Sequence, residues 1–471
     1  MQVPILAGIT SDGSADYRTY YPRNMIPVPK AQGVSSGYLR PAPGIISTGT
    51  GVGNGRGGIN WNDTLYRVSG SKLIRVNADG TTAVIGDVMN DGAQVSMDRS
   101  FDRLMIASAG SLFYYDGTKL EKVDSPNLGL VLDCQWIAGY TMTTDGTNIL
   151  TSDLNDPTSF STLHYGSSEA DPDKVVGVRK LRNEAYAINR FTIEAFENIG
   201  GDNFPFQVIP GATVPKGAIS AHVVAYFQSS IAFVGGGRTK EGPEPPAVWL
   251  MVPGDSQKLS TREIETQLQE FTEAQLATCV LEARSDRENA LLYLHLPDRC
   301  LVYDANASTI LGEPIWHILT TSLVGYGQYR ARSHVWCYDR WNVDDPTSSA
   351  LGRLDSSLSS HYGMVNGWDF GTLIVYNEGN AAIFNELELI GLTGRAPVGA
   401  DPTIWTSYSV DGVTWSQERP RRAGKTGDRA HRIVWRRQGK MQFERMQRFR
   451  GTSDCHASFS RLEADLEALS V

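Results

Sequence analysis

The chain has 471 residues, 41% of them hydrophobic and 20% charged, with a formal net charge of -9. That length buries a full core and suits two or three ordinary domains or one large repetitive one, and the acidic balance excludes a protein that grips nucleic acid by phosphate contacts over its whole surface. No apolar run is long enough for a membrane helix, "MQVPILAGIT" lacks the flank and core of a secretion signal, and the five dispersed cysteines form no CxxC pair, so the expectation is a soluble, cytoplasmically made protein with free, buried thiols.

In chain order, the first predicted element is an arm. "ADYRTYYPRNMIPVPKAQGVSSGYLRPAPGI" (15–45) places five prolines among four tyrosines. Proline removes a backbone donor and pushes its predecessor toward extended geometry, which disfavours both helix and central strand. Disordered tails lack such rings, so an ordered, extended arm over 1–50 is expected. The glycine run Gly53–Gly58 formally contains GxGxxG, but the strand-like "INWNDTLYRV" follows where a dinucleotide site needs a helix. It reads as a loop.

From 51 to 390 the sequence reads as short strands and tight turns. Asp79-Gly80, Asp116-Gly117 and Asp145-Gly146 each separate two β-type runs, as does Asp411-Gly412 further on, and Asp91-Gly92 is a fifth candidate. Glycine supplies positive φ at no steric cost, so these are hairpin signals. With 47 glycines and 22 prolines, the fold class is mainly β, an irregular β-propeller-like body. The exception is a helical insert over about 259–286, with Ile264, Leu268, Phe271, Leu276 and Val280 near helical spacing, Ser260 or Thr261 as N-cap, and Phe271-Thr272 as a break. It is expected on the outside of the β body.

Residues 391–471 form a third unit. A glycine-rich linker (391–402) leads to long strands that either form a terminal hairpin unit or complete the last blade. Between Glu418 and Arg450 stand twelve basic and three acidic residues, a local excess of +9 that leaves -18 elsewhere. The interleaved Ile433, Trp435, Met441, Phe443, Met446 and Phe449 imply one packed face, leaving a solvated charged face, a protein partner or DNA phosphates for the other.

No catalytic constellation stands out. There is no HExxH and no GxSxG, His295 sits in an alternating strand that suits a core or edge role, and Asp153, Asp156, Asp171 and Asp173 lack EF-hand spacing and read as Asp-Pro turns. "SVDGVTW" (409–415) resembles the Asp-box of sialidases, a structural hairpin turn, so a glycan-binding or glycan-hydrolysing propeller is the alternative reading. No catalytic, cofactor-binding or metal-binding residue is assigned.

The opening segment carries a resemblance. Tyr17, Tyr20, Pro22, Asn24, Met25, Pro29, Lys30, Gly37, Tyr38, Leu39, Arg40, Pro43 and Gly44 look like the N-terminal signature of the packaged-DNA stabilisation, or tail hub (nozzle), proteins of short-tailed bacteriophages. The likeness continues through "LYRVSGSKLIRV", "YTMTTDGTNILTSDLNDPTSF" and "HLPDRCLVYD" to "SVDGVTWSQERPRRAGKTGDRAHRIVWRRQGK". Ala42 departs where an aromatic is expected. The resemblance implies a non-enzymatic virion protein of the phage tail, made in the bacterial host, without cofactor and β-propeller-like. It also implies a homohexameric ring below the portal and head-to-tail adaptor that contacts the tail needle and the tailspikes or fibres. Such a ring retains packaged DNA and conducts it during ejection without tight binding.

Overall fold

The computed structural model describes residues 1–6, 8–11, 17–30, 35–201, 203–286, 289–378, 380–411 and 414–469. Seven sheets of at least four strands follow one another round a ring. The first six are continuous in sequence, running from Gly55 to Asp87, Ser96 to Lys122, Cys134 to Ser167, Val175 to Val208, Gly217 to Lys258, and Val280 to Leu319. The seventh takes Arg332–Cys337, Arg340–Asp344 and Ala350–Asp355 from late in the chain and its outer strand, Gly44–Thr50, from the beginning. Antiparallel pairing of Ala350 with Thr50 and of Asp355 with Gly44 therefore closes the ring. The body is a seven-bladed β-propeller.

The hairpin signals act as expected. Asp79 Oδ1 accepts from Thr81 N at 2.9 Å, Asp116 Oδ1 from Thr118 N at 2.8 Å, and Asp145 Oδ1 from Thr147 N at 2.8 Å. Each carboxylate satisfies the amides of its own turn, and the following glycine takes positive φ. Asp91 instead lies in the link between the first two blades. Gly55–Gly58 is not loop but the start of the first blade's inner strand, Gly55–Trp61.

The insert is two helices, Arg262–Gln269 capped by Thr261 and Glu273–Leu276 with a Thr272–Gln275 capping box. It ends earlier than expected, because Val280–Asp286 is already the inner strand of the sixth blade. Ile264, Leu268 and Leu276 are fully buried with Phe233, Val248, Leu292 and Leu294, so the helices fill the wedge between the fifth and sixth blades rather than lying on the outside. A third helix, Ala305–Leu311, is capped by Asp304 and ends on Gly312 in the left-handed region.

Residues 367–468 build a β-sandwich. One sheet holds Gly367–Gly371, Glu444–Thr452, Thr403–Ser409 and Arg419–Arg422; the other holds Ile433–Met441, Ala382–Leu392 and Ser458–Ala468. Gly391 lies inside Ala382–Leu392, so 391–402 is mostly a connection within the sandwich and not a boundary before it. None of these strands completes a blade; Gly44–Thr50 does that instead.

The arm is part of both bodies. Met25–Pro29 and Gly37–Pro41 pair as a hairpin that extends the sandwich sheet beside Ser458–Ala468. Met25–Pro29 is the edge strand, where missing proline donors are tolerated, which is how a proline-rich stretch becomes sheet. Alternation along a strand sends neighbours to opposite faces. Met25 and Leu39 enter the sandwich core, while Ile26 and Val28 enter a cluster with Leu291, Tyr293, Val302 and Val343 of the propeller. Just before it, Pro22 O accepts from Ile318 N at 2.9 Å, and Arg23 N donates to Asp369 O at 2.9 Å, Ile318 and Asp369 belonging to the propeller and the sandwich respectively. Asn24 completes the joint. Its Nδ2 donates to Thr320 O at 2.9 Å and Gly367 O at 2.7 Å, and its Oδ1 accepts from Thr320 N at 2.9 Å.

Candidate functional site: the propeller axis and the charged sandwich face

All seven blades present inner strands to one axial cavity of about 240 Å³, lined among others by Gly57, Ser96, Asp133, Arg179, His222, Glu282 and His334. Polar rivets join neighbouring blades around it. Arg56 of the first blade reaches Ala93 O at 2.6 Å and Ser108 Oγ at 3.2 Å on the second. Asp98 Oδ2 accepts from Trp136 N at 2.7 Å, linking second to third. Asp133 pairs with Arg179, which donates to Ala221 O at 2.5 Å, so one ion pair spans three blades. Arg67 meets Asp344 at 3.0 Å across the seam where the ring closes. Between the sixth and seventh blades, Glu282 Oε2 accepts from His334 N at 2.8 Å.

The charged side chains on the axis are Asp133, Glu282 and Arg179. Burial pushes His222 down to about 4 and holds it neutral. Burial works to raise the Glu282 carboxyl, but the facing His334 and His295 rings outweigh it and hold it well below the ordinary range. Burial likewise lowers His334. The cavity suits a cluster of waters. A nucleic-acid duplex, whose major groove alone is about 12 Å wide, cannot thread it.

The basic stretch runs through three sandwich strands. Ile433, Trp435, Met441, Met446 and Phe449 form the expected packed face, whereas Phe443 is exposed. Several cations are matched within the chain. Arg432 binds Glu388 at 2.7 Å, Arg436 binds Glu386 at 3.1 Å, and Arg450 binds Glu418 at 2.5 Å. Arg432 and Arg450 hold Glu388 and Glu418 below their ordinary values. Arg445 is buried between the rings of Phe384 and Tyr408, 4.4 and 3.9 Å from their centres, and desolvation pushes it down to about 10. Arg421, Arg429, Arg437 and Lys440 stay on the exposed surface.

Asp411 lies in the sandwich, where its Oδ1 accepts from Thr414 N at 2.7 Å; Gly412 falls outside the described residues. The described residues of the box thus lie outside the propeller. Asp153 faces His164 Nδ1 at 3.0 Å, and Asp173 Oδ2 accepts from Phe191 N at 2.6 Å. All five cysteines are buried and unpaired. Sequence reasoning gave His295 a core or edge role, and the structure buries it, but the reasoning missed its meeting with Glu282 and His334, since nothing in their spacing signals it.

A closed seven-bladed ring, with a plugged axis and a sandwich tied on by the chain's own start, defines a rigid scaffold presenting surfaces. Comparison with known proteins names the group: the chain belongs to the bacteriophage P22 Gp10 family of phage tail hub proteins, its β-propeller matching over residues 1–359 and its β-sandwich over 367–467. The tail hub protein gp10 of Salmonella phage P22 is 29% identical over 463 residues, 94% of each chain. Among solved structures, the N-terminal domain of Nup159 overlays with a TM-score of 0.42 at 8% identity, over 71% of this chain and 98% of that one. XC5397 from Xanthomonas campestris, described as a gluconolactonase, gives 0.36 at 14% identity, over 75% and 98%. At such overlap no activity transfers, and the glycan reading finds no support.

Proposed function

We propose that this protein forms a homohexameric ring at the phage tail, extends the DNA channel below the portal and adaptor, and acts without catalysis. The observation that carries the reading is the joint match of propeller and sandwich to the tail hub family along the chain. The closed axis adds a physical consequence. DNA passes between copies of the chain and never through one propeller. A conduit for a polyanion needs walls that do not bind phosphate, so the acidic remainder of the chain suits the lumen and the exposed arginines of the sandwich suit protein contacts, with the adaptor or a neighbouring subunit. The tail needle and the tailspikes or fibres are the remaining proposed partners. Electron microscopy of virions labelled on this protein tests the reading: label at the tail below the portal in six-fold symmetry is expected. Label on the capsid, or a monomer that hydrolyses glycans, would overturn it.

A further inference from the structure

We infer that Glu282, His295 and His334 bind one divalent transition-metal ion of the zinc class, which staples the sixth blade to the seventh. The three residues come from Val280–Asp286, Asn289–His295 and Arg332–Cys337. The first two strands form a hairpin of the sixth blade, and the third is the inner strand of the blade that closes the ring. One ligand atom from each lies within 4.8 Å of the others. Glu282 Oε1 is 2.6 Å from His295 Nε2 and 3.0 Å from His334 Nδ1.

Two imidazoles and one carboxylate form a donor set suited to zinc, with a fourth position left for water from the axial cavity. Bonds of about 2.0–2.1 Å in a tetrahedron put ligand atoms about 3.3 Å apart, so Glu282 Oε1 must draw back by about 0.7 Å from His295 and about 0.3 Å from His334 to admit the ion. A second observation points independently to a ligand. His334 has no side-chain exposure, its Nδ1 faces Glu282 Oε1 at 3.0 Å without hydrogen-bond geometry, and its Nε2 has no hydrogen-bond partner at all. A buried imidazole left in that state is costly unless something else is bound there. Glu282 Oε2 is already held by His334 N at 2.8 Å, which orients the carboxylate and leaves Oε1 for the ion. Arg284, the nearby cation, turns to Tyr293 Oη at 3.0 Å and Asp286 at 3.3 Å.

The test uses the full chain, stripped with a chelator and then titrated with Zn²⁺ alone. Elemental analysis after dialysis should find one ion per chain, and the melting temperature should rise by about 3 °C in hundredfold excess over Kd. Glu282→Gln and His295→Asn should each weaken binding by more than the roughly 10–100-fold that loss of a group behind a ligand costs. Should either variant fail to fold, the wild type still decides through its stoichiometry and its visible spectrum with Co²⁺, which reports tetrahedral coordination. A stripped wild type that takes up no zinc, variants that bind as well as wild type, or bound zinc with an unchanged melting temperature would each overturn the inference.

Discussion

Asn24→Ala is the sharpest test of how the two bodies are joined. Asn24 is buried, sits at φ 53°, and makes three side-chain hydrogen bonds, two to Thr320 of the propeller and one to Gly367 of the sandwich. Each bond contributes roughly 1 kcal/mol net, and its loss strands a buried partner. Alanine also takes the left-handed region poorly, adding about 1 kcal/mol. The expected loss is therefore about 4 kcal/mol. Asn24→Gly removes the same bonds but not the backbone fit, so it should lose about 3 kcal/mol. Urea unfolding followed separately by near-ultraviolet and far-ultraviolet dichroism measures both variants, and the sandwich should melt apart from the propeller in each. Loss of under about 1 kcal/mol in Asn24→Ala would refute the rivet. Equal losses in the two variants would refute the conformational share.

Burial pushes Asp304 up to about 6, above its unfolded value, so the folded state holds the proton more tightly. Its contribution to stability is full below about pH 4 and is lost as pH rises through 6, a change of about 3 kcal/mol. Asp304→Asn keeps the helix cap and should flatten that slope in stability measured from pH 4 to 7; an unchanged slope refutes the assignment. Asp411→Ala loses the turn bonds to Thr414 and should cost about 1 kcal/mol in urea unfolding. Arg436→Glu with Arg437→Glu should leave duplex binding weak in a filter assay at physiological salt while tails detach or genomes leak. Tight wild-type binding abolished by this change would place the basic face in the lumen.

Local features were legible and distant ones were not. Asp79, Asp116 and Asp145 announce their hairpins because the carboxylate's partners lie two or three residues away. Thr261, one of the two N-cap candidates, announces the first helix for the same reason. The closing strand Gly44–Thr50 is invisible, since its partner Ala350–Asp355 lies some three hundred residues on and no local propensity encodes that pairing. The helix Ala305–Leu311 was missed although its cap, Asp304, and its terminator, Gly312, are both in place, because the preceding apolar strand dominates the pattern. Glu282 and His295 share a hairpin, yet His334 joins them only through blade order.

The placement of Gly44–Thr50 has a consequence for how the molecule is made. Thr50 leaves the ribosome long before Ala350, and at about 5–20 residues per second the interval is roughly 15–60 s. Throughout it, the earliest strands lack both their blade and their sandwich sheet. Their exposed edges are then open to pairing with other nascent chains, a hazard that grows with expression level. Any premature stop before Ala350 leaves an unclosed ring. Only chains that extend through Ala350–Asp355 can close the ring, so synthesis itself screens the subunits before they reach assembly.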